Sequence, residues 1–180
     1  MKAIQLFSLC AMVLFSSCKE DTATPSTQEA TTISTFYLIR HAEKERTDPA
    51  NVDPELNQEG LGRAMHWAEI LDEVPLDAIY STDFNRTSMT AAPISVKKNI
   101  DVQYYDPRIL DLDQLKADNV NKNVLVVGHS NTTPDLVNKL LGEQKYPQID
   151  DAESGTLFIV TITNGVATSS KLVFNCNCPD

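Results

Sequence analysis

Two of the three histidines in this sequence stand directly after short apolar runs. His41 follows TFYLIR with Arg40 immediately before it, and His129 follows NVLVVG with Ser130 immediately after it. Arg86 comes shortly after a third run, which closes at Ser81. Arginine side chains keep their charge and present a planar fork of donors. Two of them brought together make a site for a tetrahedral anion, most naturally phosphate. A neutral imidazole beside such a site can attack phosphorus in line and form a phosphohistidine, while the arginines cancel the charge that would repel it. A second imidazole, when protonated, donates to the equatorial oxygens as they move in the transition state. Taken singly, each of these residues is more often a satisfied loop or surface group, and their conjunction at three strand ends is what points to chemistry. His41, His129 and Glu43 also have the types of a metal triad, but Arg40 sets a fixed cation beside His41, so no metal or other cofactor is expected. The third histidine, His66, lies next to Trp67 inside an amphipathic stretch and reads as a surface or packing residue.

The elements that must position these groups alternate between strand and helix. TFYLIR is a strand-forming run ending at Arg40. Asn57 is expected to cap a helix running to about Glu73, with Leu61, Met65, Ala68 and Leu71 sharing one apolar face. Ala78 to Ser81 is a short strand, followed by a helix from about Phe84 that should stop at Pro93. Val102 to Tyr105 reads as a third strand and Ile109 to Ala117 as a short helix. NVLVVG, apolar on both faces, is the central strand. Ser130 or Asn131 then caps a helix with Pro134 and Asp135 in its first turn. GTLFIVTIT and VATSSKLVF form a hairpin around Asn164-Gly165. This order predicts a three-layer α/β/α sandwich: a mostly parallel sheet with an antiparallel edge hairpin at the C-terminal end. Ligands of such sheets sit beyond the carboxyl ends of the strands, where Arg40-His41, the Arg86 segment and His129-Ser130 fall.

The chain of 180 residues is 42% hydrophobic and 22% charged, which suits one globular domain with a substantial core. Its formal net charge of -10 offers no electrostatic footprint for nucleic acid. Basic residues gathered in one pocket would stand against that background. The N-terminus has the layout of an export signal: Met1-Lys2, an apolar run from Ala3 to Phe15, then Ser16 and Ser17 before Cys18. The run is too short to span a bilayer. FSSC resembles a bacterial lipobox, which implies cleavage after residue 17, lipid on Cys18 and membrane attachment through that lipid. An ordinary signal peptide is the alternative. Residues 18–32, rich in Thr, Ser, Glu and Ala, read as a tether with too little apolar surface to order itself, leaving residues 33–180 as the functional domain. The expected location is the cell envelope, lipid-anchored at the outer membrane on its periplasmic or surface face. Cys176 and Cys178 stand in NCNC at the other end; a bridge across one residue is usually strained, and a frayed tail is the plain expectation.

At the residues that carry the chemistry, the sequence resembles the histidine phosphatase superfamily, the phosphoglycerate mutase-like proteins. FYLIRHAEK resembles the strand-then-RH signature, with Ala42 where glycine is more usual. DPELNQEGLGRA resembles the segment opening the first helix, IYSTDFNRTSMTAAP the stretch carrying the second pocket arginine, and VLVVGHSNTTP the second pocket histidine. The four occur in family order. The resemblance implies His41 as the nucleophile, with Arg40, Arg86 and His129 holding the phosphoryl group of a small phosphorylated substrate. Ser130 is expected among the substrate contacts. Glu43, in the RHAE signature, is expected to help position His41 or to line the pocket mouth, with a solvated loop carboxylate beside Lys44 as the alternative. The proton donor is sought in YYDPRILDLDQL, which offers Asp106, Asp111 and Asp113; Asp111 sits most like the family's acid. Without an acid in reach, good leaving groups such as phosphoramidates or anhydrides would be favoured. The reading implied is a phosphomonoesterase. The alternatives are a phosphoglycerate-type mutase, for which the short domain leaves few lid residues, and a phosphate-binding lipoprotein with weak or no catalysis.

Overall fold

A computed structural model describes residues 30–176. The export signal, Cys18, almost all of the tether and Cys178 lie outside that range. Ten elements follow one another: β1 (Ile33–Arg40), α1 (Gln58–Ile70), β2 (Ala78–Thr82), α2 (Asn85–Lys98), β3 (Val102–Tyr105), α3 (Leu112–Asp118), β4 (Asn123–Gly128), α4 (Thr132–Leu141), β5 (Thr156–Thr163) and β6 (Val166–Val173). The strands form one sheet in the order β3-β2-β4-β1-β5-β6. The pairs β3-β2, β2-β4 and β4-β1 are parallel, and β1-β5 and β5-β6 are antiparallel. The expected α/β/α sandwich with an antiparallel edge is therefore the architecture observed.

Alternation along the strands builds the two faces. Phe36, Leu38, Val124, Val126, Phe158 and Val160 pack with Leu115 of α3 and Leu136, Val137 and Leu140 of α4. Their neighbours Ile39, Ile79, Leu125, Val127 and Leu157 pack with Trp67 and Ala68 of α1 and Ala91 and Ile94 of α2. β4 is buried along almost its whole length because it lies between β2 and β1 with helices on both sides. Truncating a fully buried ring such as Phe36 or Phe158 would cost about 3–5 kcal/mol. The closing hairpin turns at Asn164 (φ 50°) and Gly165 (φ 83°), both left-handed as a tight two-residue hairpin turn requires.

Three helices differ from their sequence-based readings. In α1, capped by Asn57, the buried face is Gly60, Arg63, Ala64, Trp67 and Ala68; Leu61 and Met65 are 41% and 58% exposed. The two faces are adjacent on the helix, and Trp67, with more apolar area to bury, takes the sheet side. α2 runs through Pro93 and ends at Asn99 in the left-handed conformation. Burial of Ala91 and Ile94 on either side of Pro93 outweighs the single helix hydrogen bond that proline removes. α3 starts at Leu112, later than Ile109, because residues 106–109 form a turn in which the Ile109 N–H donates to the Asp106 carbonyl at 3.2 Å. Asp111 then caps the helix.

Candidate active site

Strand register brings the two cavity histidines together. β1 and β4 are parallel neighbours with Arg40 opposite Gly128, so the residues that follow, His41 and His129, leave the sheet side by side. The His41 N–H donates to the Gly128 carbonyl at 2.9 Å, and the two imidazole rings lie 5.4 Å apart, edge to face. β2 flanks β4 on the other side, with Ser81 opposite Val127. That register puts Thr82 next to the His129 turn and leads the chain into α2, whose first turn carries Arg86. Three adjacent strand ends thus converge on one cavity of about 830 Å³, lined by His41, Arg86, His129 and Ser130 among others. The N-terminus of α4 contributes Thr132 to the same wall, and the Thr132 hydroxyl accepts the His129 N–H at 3.0 Å.

His41 is 3% exposed. Its Nδ1 lies 2.7 Å from the Ala42 carbonyl, and since a carbonyl only accepts, Nδ1 carries the proton and Nε2 carries the lone pair. Burial above all, reinforced by Arg40, His129 and Arg86, pushes the His41 pKa down to about 3 against the raising influence of the Ala42 carbonyl. His129 is pushed down to about 4, again chiefly by burial and then by Arg86, Arg40 and Lys44. At neutral pH both rings are uncharged, as a nucleophile requires.

The arginines are held in different ways. Arg86 is 12% exposed, with Nη1 3.3 Å from Asp53 Oδ1 and its guanidinium 4.5 Å from the centre of the Phe84 ring. Phe84 in turn stands edge to face against His129 at 5.0 Å. Arg40, 1% exposed, lies behind the cavity wall. Its Nη1 donates to the Asp150 and Glu153 carbonyls at 3.0 and 2.9 Å, and its Nη2 to Asp151 Oδ1 at 2.6 Å. Arg40 is expected from the resemblance to hold the phosphoryl group; its Nη groups instead fasten the loop between α4 and β5. The Nε–H groups of Arg40 and Arg86 are both buried without a hydrogen-bond partner in the protein. A buried charged donor left unsatisfied is costly, and an anion in the cavity that Arg86 lines would relieve the Arg86 Nε–H.

Two further sequence expectations are corrected. Glu43 is away from the cavity wall; it accepts from Arg63 Nε at 2.7 and 2.9 Å, both side chains being nearly buried. The pair ties the loop after His41 to α1, and the close approach of Gly60 to the Glu43 backbone leaves no room there for a side chain. Asp111 accepts from the N–H groups of Asp113 and Gln114 as the cap of α3 and lines a separate depression. The residue whose sequence position best suited a proton donor is therefore spent on a helix start.

Three other carboxylates line the cavity: Asp83, Asp106 and Asp151. Asp106 is held down to about 2 by hydrogen bonds from Arg108, and Asp151 lies below its usual range because Arg46 and Arg40 outweigh its partial burial. Asp83 makes no hydrogen bond or ion pair within the described residues. Asp83 and Lys44, another lining residue, escaped the sequence reading because nothing in their spacing marks them; only their places just past Thr82 and His41 could have drawn notice. His66 lies at the surface, 3.7 Å from Glu69. Cys176 is disulfide-bonded rather than a loose thiol in a frayed tail.

A neutral buried imidazole flanked by a second imidazole and two guanidinium groups, at the carboxyl ends of parallel strands in an α/β/α sandwich, defines a histidine-centred anion site. The sequence profile of the Histidine phosphatase superfamily (branch 1) matches residues 36–110, the stretch that carries Arg40, His41 and Arg86. Over 82 residues it is 38% identical to Phosphoserine phosphatase 1 of Hydrogenobacter thermophilus, a match spanning 43% of this chain and 38% of that protein. The fold is shared with the protein histidine phosphatase SixA complexed with tungstate, at TM-score 0.63 and 16% identity over 77% of this chain and 96% of that one. It is shared also with the alpha-ribazole phosphatase from Shigella flexneri, at TM-score 0.60 and 16% identity over 78% and 96% of the two chains.

Proposed function

We propose that this protein is a phosphatase that hydrolyses phosphomonoesters through a covalent phosphohistidine on His41. The observation that carries this reading is the pairing of a bare Nε2 on a buried, neutral His41 with two buried guanidinium groups whose Nε–H atoms lack partners. In the first step Nε2 forms a bond to phosphorus as the ester P–O bond breaks, and the leaving alkoxide takes a proton. In the second, water attacks the phosphorus, the P–N bond breaks, and inorganic phosphate and neutral His41 are regenerated. Arg86 and His129 hold the phosphoryl oxygens, Arg40 supplies fixed charge from behind, and Ser130 lines the same wall. The cavity far exceeds a phosphate ion, so it also holds the leaving group, with exposed rings of Phe84 and Tyr104 on its wall.

The leaving-group proton is assigned to Asp83, which lines the cavity and has no hydrogen-bond or ion-pair partner among the described residues, whereas Asp106 and Asp151 are paired with arginines and Asp111 caps a helix. That single exposed acid makes the site better suited to substrates with good leaving groups. Phosphoramidates, the linkage implied by the name of the SixA protein histidine phosphatase, are the second substrate class, and phosphoserine, named for the H. thermophilus relative, is a third test compound. The sequence features of residues 1–32 support export, lipid on Cys18 and a tether before a catalytic domain of residues 33–180, which would hold the enzyme at the cell envelope.

Incubation with phosphorylated substrate should leave an acid-labile, alkali-stable label on His41. His41→Ala should lose both label and turnover across ester, phosphoramidate and phosphoserine substrates; turnover unchanged in that variant refutes the reading. Lipid labelling abolished by Cys18→Ala would test the anchor separately, and labelling that survives it would exclude Cys18 as the site.

A further inference from the structure

His129 is held by a chain of hydroxyl groups that runs away from the cavity. Its Nε2 lies 2.9 Å from Thr82 Oγ1, Thr82 Oγ1 lies 3.1 Å from Thr87 Oγ1, and Thr87 Oγ1 lies 2.7 Å from the Thr82 carbonyl and 2.9 Å from the Phe84 carbonyl. Thr82 is 1% exposed and Thr87 is fully buried, so water does not compete for these positions. Each hydroxyl has one proton to give. The two carbonyls can only accept, so the Thr87 proton goes to one of them. Thr87 Oγ1 is then the acceptor for Thr82, which spends its own proton there. Thr82 has none left for His129, and Nε2 must be the donor of the 2.9 Å contact.

We infer that Thr82 and Thr87 are positioning residues that lock His129 in the Nε2–H tautomer, so that its Nδ1 meets the cavity as a bare lone pair and becomes a phosphoryl donor only by taking a proton from the incoming phosphate. No protein group within the described residues hydrogen-bonds Nδ1, and the ring lines the cavity. The direction of the chain matters because the neutral ring in the other tautomer would already donate Nδ1–H to a phosphoryl oxygen. In the locked form a bare Nδ1 repels a phosphate dianion. A phosphate monoanion brings the missing proton: its O–H bond breaks, an Nδ1–H bond forms, and the bound pair is imidazolium and dianion. The ordinary state of His129 agrees, since burial and the neighbouring cations keep the free ring neutral. The hydroxyl chain gives imidazolium a fixed acceptor on its far side, the arrangement by which a second layer of hydrogen bonds orients a working imidazole.

This inference deepens the proposed function and rests on it for the role of His129, but the tautomer can be read without any turnover. The experiment is nitrogen NMR of the full chain with labelled imidazole, before and after adding inorganic phosphate, on wild type and on Thr82→Val, Thr82→Ser and Thr87→Val. Wild-type His129 should show a protonated Nε2 and an unprotonated Nδ1, with Nδ1 gaining a proton on phosphate addition. Thr82→Val should give a mixture of tautomers and weaken phosphate binding by roughly 10- to 100-fold, and Thr82→Ser should restore both. Thr87→Val frees the Thr82 proton to turn toward Nε2, so it should move the His129 proton to Nδ1, a shift that mere loss of packing would not produce. An Nδ1–H tautomer in the free wild type, or a tautomer unchanged in both valine variants, overturns the inference. If the tautomers behave as stated and no substrate is turned over, the hydroxyl chain stands and the phosphatase reading fails.

Discussion

Acid should unfold this domain earlier than its carboxylates alone would dictate, and His41 is the reason. The unfolded chain titrates a histidine near about 6.5, whereas folded His41 is held down to about 3 and His129 to about 4. A histidine depressed on folding contributes stability that is fully present above its unfolded pKa. That stability is lost as pH falls, because the unfolded chain binds protons the folded protein refuses. For His41, 3% exposed, taking the pH from about 7 to about 5 protonates the unfolded ring almost completely and the folded ring hardly at all, a loss of about 2 kcal/mol. His129 is only partly buried, and its share is discounted to the order of 1 kcal/mol. Carboxylates depressed by arginines, Asp106 and Asp151, work in the opposite sense of charge and lose their contribution only below the usual carboxylate pKa. The window from pH 7 to 5 therefore isolates the imidazoles. The assay is urea unfolding followed by the single tryptophan, Trp67, which is buried on the sheet-facing side of α1. It should be run at both pH values in phosphate-free buffer on wild type, His41→Asn and the surface control His66→Asn. The loss on acidification should shrink by about 2 kcal/mol in His41→Asn and stay unchanged in His66→Asn. A full wild-type loss in His41→Asn would show that the ring titrates normally and is not held neutral by burial.

Other perturbations test other parts of the site. Glu43→Ala removes the bidentate partner of the nearly buried Arg63 Nε, leaving the guanidinium only the Phe174 carbonyl and the more distant Glu59, and should cost about 2–4 kcal/mol of stability in urea unfolding; a loss under 1 kcal/mol, roughly the worth of an exposed pair, would mean the clamp is solvated. Asp83→Asn should slow hydrolysis of an alkyl phosphate by about 100-fold or more while barely affecting a nitrophenyl phosphate, as loss of a general acid does. Equal slowing of both would remove Asp83 from that role. Arg86→Lys keeps the charge and loses the planar fork. It should weaken competitive inhibition by inorganic phosphate by about tenfold, and an unchanged inhibition constant would place the phosphate elsewhere.

Several features of this protein were legible in the residues themselves. An apolar run of strand length buried on both faces can only be an interior strand, so NVLVVG announced β4 and the parallel sheet around it. Strand ends in such sheets face a common crevice, which is why Arg40-His41 and Gly128-His129 could be paired before any register was known, and Asn164-Gly165 could be read as a hairpin turn from its tolerance of positive φ. Periodicity did not say which of two overlapping stripes on α1 meets the sheet, and Pro93 looked like a stop because its cost is local while the burial of Ala91 and Ile94 that overrides it is not.

What the sequence by itself determined was the kind of chemistry: imidazole and guanidinium groups at the carboxyl ends of strands, in an order that resembles one superfamily. What the tertiary structure alone decided was how each group is used. Glu43 went to Arg63, Asp111 to the start of α3, and the Arg40 Nη groups to the Asp150–Glu153 loop, while Thr82 and Thr87 closed behind His129. The physical reason is that a side chain's type fixes what it can donate or accept, whereas burial and the nearest available partner, set by residues far away along the chain, fix what it does donate or accept, and with it the proton it carries.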